Sequence, residues 1–145
     1  MPSHFSYKHR VNFYETDMAG LVHFSNYFRF MEETEQALFL SLGFSLKMKE
    51  QGQTITWPRV ATSFEYKSPI HVEDLIEIRL LIEHLGEKSL AYRVEFYTNQ
   101  KLAALGSCTM VCCRLKKEGV IEGIRIPERI RKKLSPYLAR RKSSA

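Results

Sequence analysis

Cysteine is scarce in this chain of 145 residues, and its three cysteines are crowded into one apolar run, SCTMVCC. Cys108, Cys112 and Cys113 form neither the C-x-x-C pattern of redox centres nor a recognised spacing of metal ligands. In a single strand, Cys108 and Cys112 would share one face and Cys113 would take the other. We interpret all three as buried thiols that pack as small hydrophobic groups, which fits a reducing compartment.

Long apolar runs and ligand-binding fingerprints are absent as well. No stretch reaches the ~18 apolar residues that a membrane-spanning helix needs. The start of the chain, MPSHFSYKHR, lacks the apolar centre of a secretory signal, so we expect a cytoplasmic protein. No P-loop, dinucleotide-binding fingerprint, zinc-ligand spacing or H-E-x-x-H motif occurs, and we therefore expect neither a metal nor a bound cofactor.

Charge is unevenly distributed along the chain. The 22 basic and 16 acidic residues give a net charge of +6, but the excess lies between residues 125 and 142, where the only acidic residue is Glu128. We therefore divide the chain into a near-neutral body, residues 1–124, and a basic C-terminal helix and tail, residues 125–145. The neutral body argues against nucleic-acid binding. The basic segment is either simply solvated or attracts an anionic partner such as an acidic acyl carrier protein.

Hydrophobic periodicity predicts one long helix among strands. Residues 5–14 alternate as in a strand, and residues 24–42 have the period of an amphipathic helix that ends at Gly43. The helix is apolar around most of its circumference, as a buried helix would be. The next segment, FSLKMKEQG, is compatible with one more helical turn. Residues 54–115 predict long antiparallel strands separated by turn signals, and a short helix follows Pro127.

This order of elements predicts an α+β fold. A sheet must cover so apolar a helix, so we expect an antiparallel β-sheet wrapped around one long central α-helix. The outer face and an edge of such a sheet also need cover. We therefore expect a homodimer or a homotetramer.

The stretch YETDMAGLVHFSNY, residues 14–27, carries the main functional signal. It resembles, without a gap, the motif of the hotdog-fold acyl-CoA thioesterases of the 4-hydroxybenzoyl-CoA thioesterase family. A second and weaker family feature is FEYKSPIHVEDLIEI, with its aromatic Tyr66, Pro69 and Asp74. The resemblance covers about residues 5–115. It implies the hotdog fold and hydrolysis of acyl-CoA thioesters to free acid and CoA.

The resemblance also implies the two halves of a catalytic site. Asp17 would act either as nucleophile or as general base, and the backbone N–H of Phe24 at the helix start would polarise the thioester carbonyl. Unpaired N–H groups and the helix dipole favour negative charge at that end. Gly20 would let the loop turn tightly against the substrate. Histidine often serves as the base that activates a nucleophile, but no serine or cysteine is placed to pair with His23. We therefore expect His23 to pack or to contact the substrate.

Further residues would bind the substrate on the same resemblance. Asn26 and Tyr27 would line the pocket, with the alternatives that Asn26 caps the helix and Tyr27 belongs to the core. Trp57 and Arg59 would bind an aryl-acyl group or a phosphate, or else would serve packing.

The family also implies how the CoA moiety is held and which functions compete. In the turn LGEKSLAY, Lys88 would meet a CoA phosphate and Ser89 the pantetheine arm. The leading hypothesis is an acyl-CoA thioesterase that depends on Asp17. The alternatives are a thioesterase for acyl carrier protein, reached through the basic C-terminus, and a non-catalytic module that binds acyl-CoA.

Overall fold

The computed structural model describes residues 3–117 and 119–139. These residues form an α+β fold of antiparallel strands and two α-helices, with two short 3-10 helices at Phe13–Glu15 and Ser135–Tyr137. In chain order the elements are β1 (Phe5–Arg10), α1 (Ser25–Ser41), β2 (Lys49–Glu50), β3 (Gln53–Thr56), β4 (Arg59–Tyr66), β5 (Leu75–Leu85), β6 (Ser89–Thr98), β7 (Lys101–Val111), β8 (Cys113–Lys117), β9 (Val120–Gly123) and α2 (Glu128–Leu134). No helix in these residues is long and apolar enough to cross a membrane.

The main sheet contains five antiparallel strands in the order β1-β5-β6-β7-β4. Asn99 and Gln100, between β6 and β7, have φ angles of 49° and 66°, as a two-residue hairpin turn requires. Alternate side chains of β5 and β6 are buried: Ile76, Ile78, Leu80, Ile82, Leu90, Tyr92, Val94 and Phe96. This alternation confirms the predicted antiparallel strands with one apolar face.

Helix α1 packs into the same core as the buried face of the sheet. Tyr27, Phe30 and Leu38 belong to one hydrophobic cluster with the strand residues. The helix stops at Gly43, whose φ of 87° is the left-handed conformation that glycine adopts most easily. The predicted helix at residues 24–42 and its stop are therefore confirmed.

The buried side of α1 is more polar than the sequence predicts, and part of its apolar surface is exposed. Phe28 and Leu40 are exposed, whereas Thr34 and Glu35 are buried. The expectation of a helix that is apolar around most of its circumference is therefore wrong. Thr34 can be buried because its hydroxyl donates to the Phe30 carbonyl at 2.8 Å, and Glu35 because it has its own partners, described below.

Several local features differ from the sequence-based expectations. The segment FSLKMKEQG forms no helical turn and leads instead into the β2–β3 hairpin of a second sheet, of order β2-β3-β8-β9.

The chain leaves the main sheet at Cys112, and the break resets the alternation, so that Cys112 and Cys113 are both buried. Burial raises the thiol pKa of Cys108, and it raises that of Cys112 to about 12. The interpretation of the cysteines as buried thiols is confirmed.

The basic C-terminal segment is anchored to the body. Three of its apolar side chains are fully buried in the common core: Ile126, Ile130 and Leu134. Arg131 donates to the carbonyl of Gly86 at 2.7 Å, in the β5–β6 turn, and Lys133 donates to the carbonyl of Leu42 at 2.8 Å. The core thus continues past residue 124, and α2 packs as part of the body. The basic residues at 140–142 lie outside the described residues.

Strand β4 is an exposed edge of the main sheet. Within the described residues it pairs only with β7. Seven of its eight residues are exposed, including the apolar Val60 and Tyr66, and Phe64 is the residue that packs against the core. Because one edge of this eight-residue strand has no partner strand in the described residues, another chain can add a strand there.

Candidate active site

Asp17 lies in a tight loop between the first 3-10 helix and α1. Its Oδ1 accepts the backbone N–H groups of Ala19 at 2.8 Å and Leu21 at 3.2 Å. Gly20 turns the loop with a φ of 77°, where a side chain would strain the backbone. In the described part of the chain, Oδ2 has no hydrogen-bond partner. One carboxylate oxygen therefore fixes the loop, and the other is available to a ligand.

The start of α1 leaves a backbone donor without an acceptor. Phe24 is the N-cap residue, the N–H of Ser25 donates to His23 Nδ1 at 3.2 Å, and the N–H of Asn26 donates to the His23 carbonyl at 2.9 Å. Among residues 3–117 and 119–139, no acceptor is found for the N–H of Phe24. The helix dipole adds partial positive charge at this position. The Phe24 N–H is therefore suited to bind an oxyanion.

His23 contacts a side chain that the sequence analysis did not anticipate. Ser25 Oγ lies 2.8 Å from His23 Nδ1, so the expectation that no serine is placed beside His23 is wrong. Because Nδ1 also accepts the backbone N–H of Ser25, the proton of the neutral ring is assigned to Nε2. The ring stacks on Phe24, with 4.7 Å between ring centroids. The His-x-Ser spacing at the helix start was the sequence feature from which this contact could have been predicted.

A cavity of about 600 Å³ brings together several of the predicted site residues. Asp17, His23, Phe24 and Tyr27 all line it. Its remaining lining residues come from the same loop, from the end of β4 and from the segment that follows β4: Leu21, Val22, Tyr66, Lys67, Ser68, Pro69 and Ile70. The two segments are tied by a hydrogen bond from the Val22 N–H to the Ile70 carbonyl, at 2.8 Å. This volume is typical of a site for a small organic ligand.

Tyr27 is both a wall of this cavity and a core residue. It is almost fully buried, and its ring packs on Tyr66 and Phe96, with centroid distances of 4.8 and 5.7 Å. Burial raises the pKa of the Tyr27 hydroxyl, and the nearby Tyr66 and Asp17 raise it further. The phenol therefore stays neutral near pH 7 and can donate a hydrogen bond.

Asn26 is not among the cavity-lining residues and is not the helix cap. Its side chain is buried, and Nδ2 donates to the backbone carbonyl of Glu15 at 2.8 Å. The N-cap residue is Phe24. The expectation that Asn26 caps the helix is therefore wrong, and in the single chain the buried amide instead joins α1 to the segment that precedes Asp17.

Trp57 and Arg59 line a different cavity, of about 220 Å³. Arg59 donates to Glu35 Oε2 at 2.6 Å, and the Tyr92 hydroxyl donates to Glu35 Oε1 at 2.7 Å. Burial and the charge of Glu35 raise the pKa of Tyr92. In the single chain, the predicted aryl-binding pair therefore lies outside the cavity that contains Asp17. The burial of Glu35 was not predicted from the sequence.

The predicted CoA-binding residues Lys88 and Ser89 are also not among the residues that line the large cavity. Lys88 is exposed at the β5–β6 turn. Among the lining residues the cation is Lys67, which lies 3.1 Å from the carboxylate of Glu65. Lys67 was not predicted from the sequence, although it lies in the motif around Pro69. In the described residues, no group of three or more His, Cys, Asp or Glu side chains is placed to hold a metal ion.

Comparison with known proteins gives consistent matches over most of the chain. A family model described as the thioesterase-like superfamily matches residues 11–134. A 1,4-dihydroxy-2-naphthoyl-CoA hydrolase of Prochlorococcus marinus (strain NATL2A) is 32% identical over 126 residues, which cover 77% of this chain and 81% of that protein.

Solved structures are similar over nearly their whole length. A hypothetical protein from Aquifex aeolicus is 30% identical with a TM-score of 0.78, covering 90% of this chain and 98% of the other. A gentisyl-coenzyme A thioesterase is 28% identical with a TM-score of 0.74, covering 88% of this chain and 99% of the other.

Proposed function

Because this chain belongs to the thioesterase-like superfamily and is a thioester hydrolase, we propose that it cleaves acyl-CoA to a free acid and CoA beside Asp17. The family match confirms the resemblance to hotdog-fold thioesterases that residues 14–27 carry. One observation supports the assignment of the site. The Asp17 carboxylate and Phe24, whose N–H has no acceptor in the described residues, line the same cavity. Acyl transfer needs such a pair, a group that delivers the nucleophile and a donor for the oxyanion.

In the general-base route, Asp17 takes a proton from a water molecule as the water oxygen attacks the thioester carbon. The carbonyl electron pair moves onto oxygen, and the Phe24 N–H and the dipole of α1 stabilise the oxyanion. The intermediate then collapses by breaking the C–S bond. The departing CoA thiolate takes the proton back from Asp17, which regenerates the carboxylate.

In the nucleophilic route, the Asp17 carboxylate itself attacks the thioester carbon and releases CoA as the thiolate. Water then hydrolyses the resulting acyl anhydride and regenerates the carboxylate. Both routes use the same two groups of this chain. Gly20 keeps the loop close to the substrate in either case, and the Nε2–H of His23 contacts the substrate from the cavity wall.

We assign an aromatic acyl group to the substrate. Phe24, Tyr27 and Tyr66 supply aromatic surface to the cavity, and each favourable ring pair adds about 0.5–1.5 kcal/mol beyond the burial of area. The naphthoyl and gentisyl groups in the names of the two relatives are themselves hydroxylated aromatic groups. Lys67, which lines this cavity, would meet a phosphate of CoA, and Lys88 and Ser89 remain the candidates outside the cavity.

We also propose that the working unit is a homodimer or homotetramer in which the sheet encloses α1 as the central helix. The open edge strand β4 supports this assembly, because pairing with a second copy would satisfy its backbone groups. Trp57 and Arg59 would then lie at or next to the interface. The proposal invokes no cofactor apart from the CoA of the substrate.

A hydrolysis screen tests the proposed function. Acetyl-, palmitoyl-, benzoyl- and 2,5-dihydroxybenzoyl-CoA would be compared on the wild-type protein and on Asp17→Asn. The asparagine keeps an Oδ1 acceptor for Ala19 and Leu21, so the loop is retained while the charge is lost. We expect turnover of the aromatic thioesters and a loss of at least ~100-fold in the variant. Normal turnover in Asp17→Asn would rule out the mechanism, and the absence of turnover on every substrate would favour a binding module.

A carrier-protein thioester is the second candidate, and the exposed cations Arg125 and Lys132 favour it. Deleting residues 125–145 cannot test this role, because Ile130 and its neighbours fill the core. Lys132→Glu is a milder change. If a carrier protein docks there, KM should rise for the carrier-linked substrate and stay constant for the matching acyl-CoA.

A further inference from the structure

The backbone carbonyl of Glu15 lies at the junction between the two halves of the proposed site. It accepts the N–H of His23 at 2.9 Å and the side-chain amide of Asn26 at 2.8 Å. These two donors flank Phe24 in the sequence, one residue before it and two after it. Glu15 itself precedes Asp17 by two residues. A single carbonyl therefore joins the segment that carries the carboxylate to the helix start that carries the oxyanion donor.

The side chain of Glu15 fixes the same junction to the sheet. Glu15 is a buried residue, and its Oε1 accepts the backbone N–H of Asn12 at 2.7 Å. Nε2 of His9, in β1, lies 2.8 Å from Oε1 and 3.1 Å from Oε2 of this carboxylate. The His9 ring packs on Phe30 of α1, with 4.5 Å between ring centroids. A buried carboxylate with this many partners has little freedom to move.

Nothing in the proposed chemistry uses Glu15, His9 or Asn26 directly. We infer that these three residues are a positioning unit that sets the separation between the Asp17 carboxylate and the Phe24 N–H, an inference that rests on the proposed function of those two groups. The unit holds the loop at both ends, through the Glu15 side chain to β1 and through the Glu15 carbonyl to α1. This accounts for an acidic residue that is buried so close to the catalytic loop.

The inference makes a specific kinetic prediction. A displacement of about 1 Å between reacting groups can cost on the order of 100-fold in rate, even when its cause is remote from the chemistry. The Asp17–Phe24 separation matters most in the transition state, and the cavity walls that bind the substrate are left in place. Loss of the Asn26 link should therefore lower kcat and leave the affinity for substrate nearly unchanged.

Asn26→Asp is the sharpest test because it keeps the shape of the side chain and replaces the donor that faces the Glu15 carbonyl with an acceptor. We expect kcat to fall by at least ~10-fold, while the inhibition constant of a non-hydrolysable acyl-CoA thioether stays within about threefold. The matched control is Thr34→Val. It removes a buried hydrogen bond in the same helix, from the Thr34 hydroxyl to the Phe30 carbonyl, away from the cavity.

Thermal denaturation of both variants separates positioning from general loss of stability. The inference holds if Asn26→Asp loses kcat, whereas Thr34→Val keeps kcat for a similar fall in Tm. It is wrong if Asn26→Asp keeps kcat, or if Thr34→Val loses it in the same proportion. Should Asn26→Asp not fold, Asn26→Ser removes the amide without adding a charge and carries the same expectations.

The result can be distinguished from a failure of the proposed function. If Asp17→Asn turns over normally, the assignment of the site is wrong. If Asp17→Asn is inactive and Asn26→Asp keeps the kcat of the wild type, the site stands and only the positioning unit is wrong.

Glu15→Gln tests the other end of the unit, where the Glu15 side chain meets β1. It keeps an acceptor for Asn12 but presents an amide to His9, and kcat should again fall more than substrate affinity does.

Discussion

Replacement of Phe24 by proline would remove the proposed oxyanion donor with little other change. The N–H of Phe24 has no acceptor in the described residues, so its loss breaks no hydrogen bond of the folded protein. The φ of Phe24 is −56°, within the range that a proline ring imposes, and proline is tolerated where a helix begins. The Phe24 side chain is 69% exposed, so removing it costs little packing. Phe24→Ala is the matched control, because it removes the ring and keeps the N–H.

The expected effect follows from what one oxyanion donor contributes. Removing such a donor costs ~100–1000-fold in kcat, or about 2.7–4 kcal/mol of transition-state stabilisation. Phe24→Pro should therefore be at least ~100-fold slower than Phe24→Ala. The assay is the release of CoA thiol from an aromatic acyl-CoA at saturating substrate. If Phe24→Pro is folded and its turnover is within threefold of that of Phe24→Ala, the N–H is not the donor and the assignment fails.

Three further predictions concern the core, the CoA site and the two acidic residues of the loop. Ile130→Ala should lower the free energy of unfolding by about 2–5 kcal/mol in urea denaturation, because Ile130 is fully buried; no change would mean that α2 is not part of the core. Lys67→Ala should raise KM for acyl-CoA more than Lys88→Ala does, since only Lys67 lines the cavity, and the reverse order would place the phosphates at the β5–β6 turn. Glu15→Gln should lower the free energy of unfolding by about 1–3 kcal/mol, whereas Asp17→Asn should change it by no more than about 0.5 kcal/mol. Equal changes for the two variants in urea denaturation would contradict this prediction.

The elements that the sequence predicted well are those with a sustained period. Alternation from Ile76 to Ile82 places every second side chain in the core, and the 3.6-residue period of α1 persists to Gly43. The cavity residues were also within reach of sequence reasoning, because Asp17, His23, Phe24 and Tyr27 belong to one continuous motif. Local sequence was sufficient there because a single loop and the following helix start build most of the site.

What the sequence could not provide are the contacts between distant segments. The burial of Glu35 depends on Arg59 and Tyr92, which lie 24 and 57 residues away in the chain. The basic segment was separated from the body by its charge, but the apolar Ile126, with its neighbours in α2, fills the core. The net charge of a segment does not show whether a few of its apolar side chains are buried, and here three of them are. Those side chains decide where the segment packs.

The acidic loop shows why residue type alone could not separate structure from catalysis. Glu15 and Asp17 are two residues apart and carry the same charge, yet Glu15 is buried against His9 and Asn12, while Asp17 lines the cavity. The 3-10 helix ends at Glu15, and Thr16, with an extended backbone, separates the two acids. A buried carboxylate with all its acceptors in use resists displacement, which suits a fixed point, and a carboxylate with an unpaired oxygen suits proton transfer. Under the proposed mechanism the loop needs both acids, because a fixed anchor must be buried and paired, whereas a proton acceptor must reach the substrate.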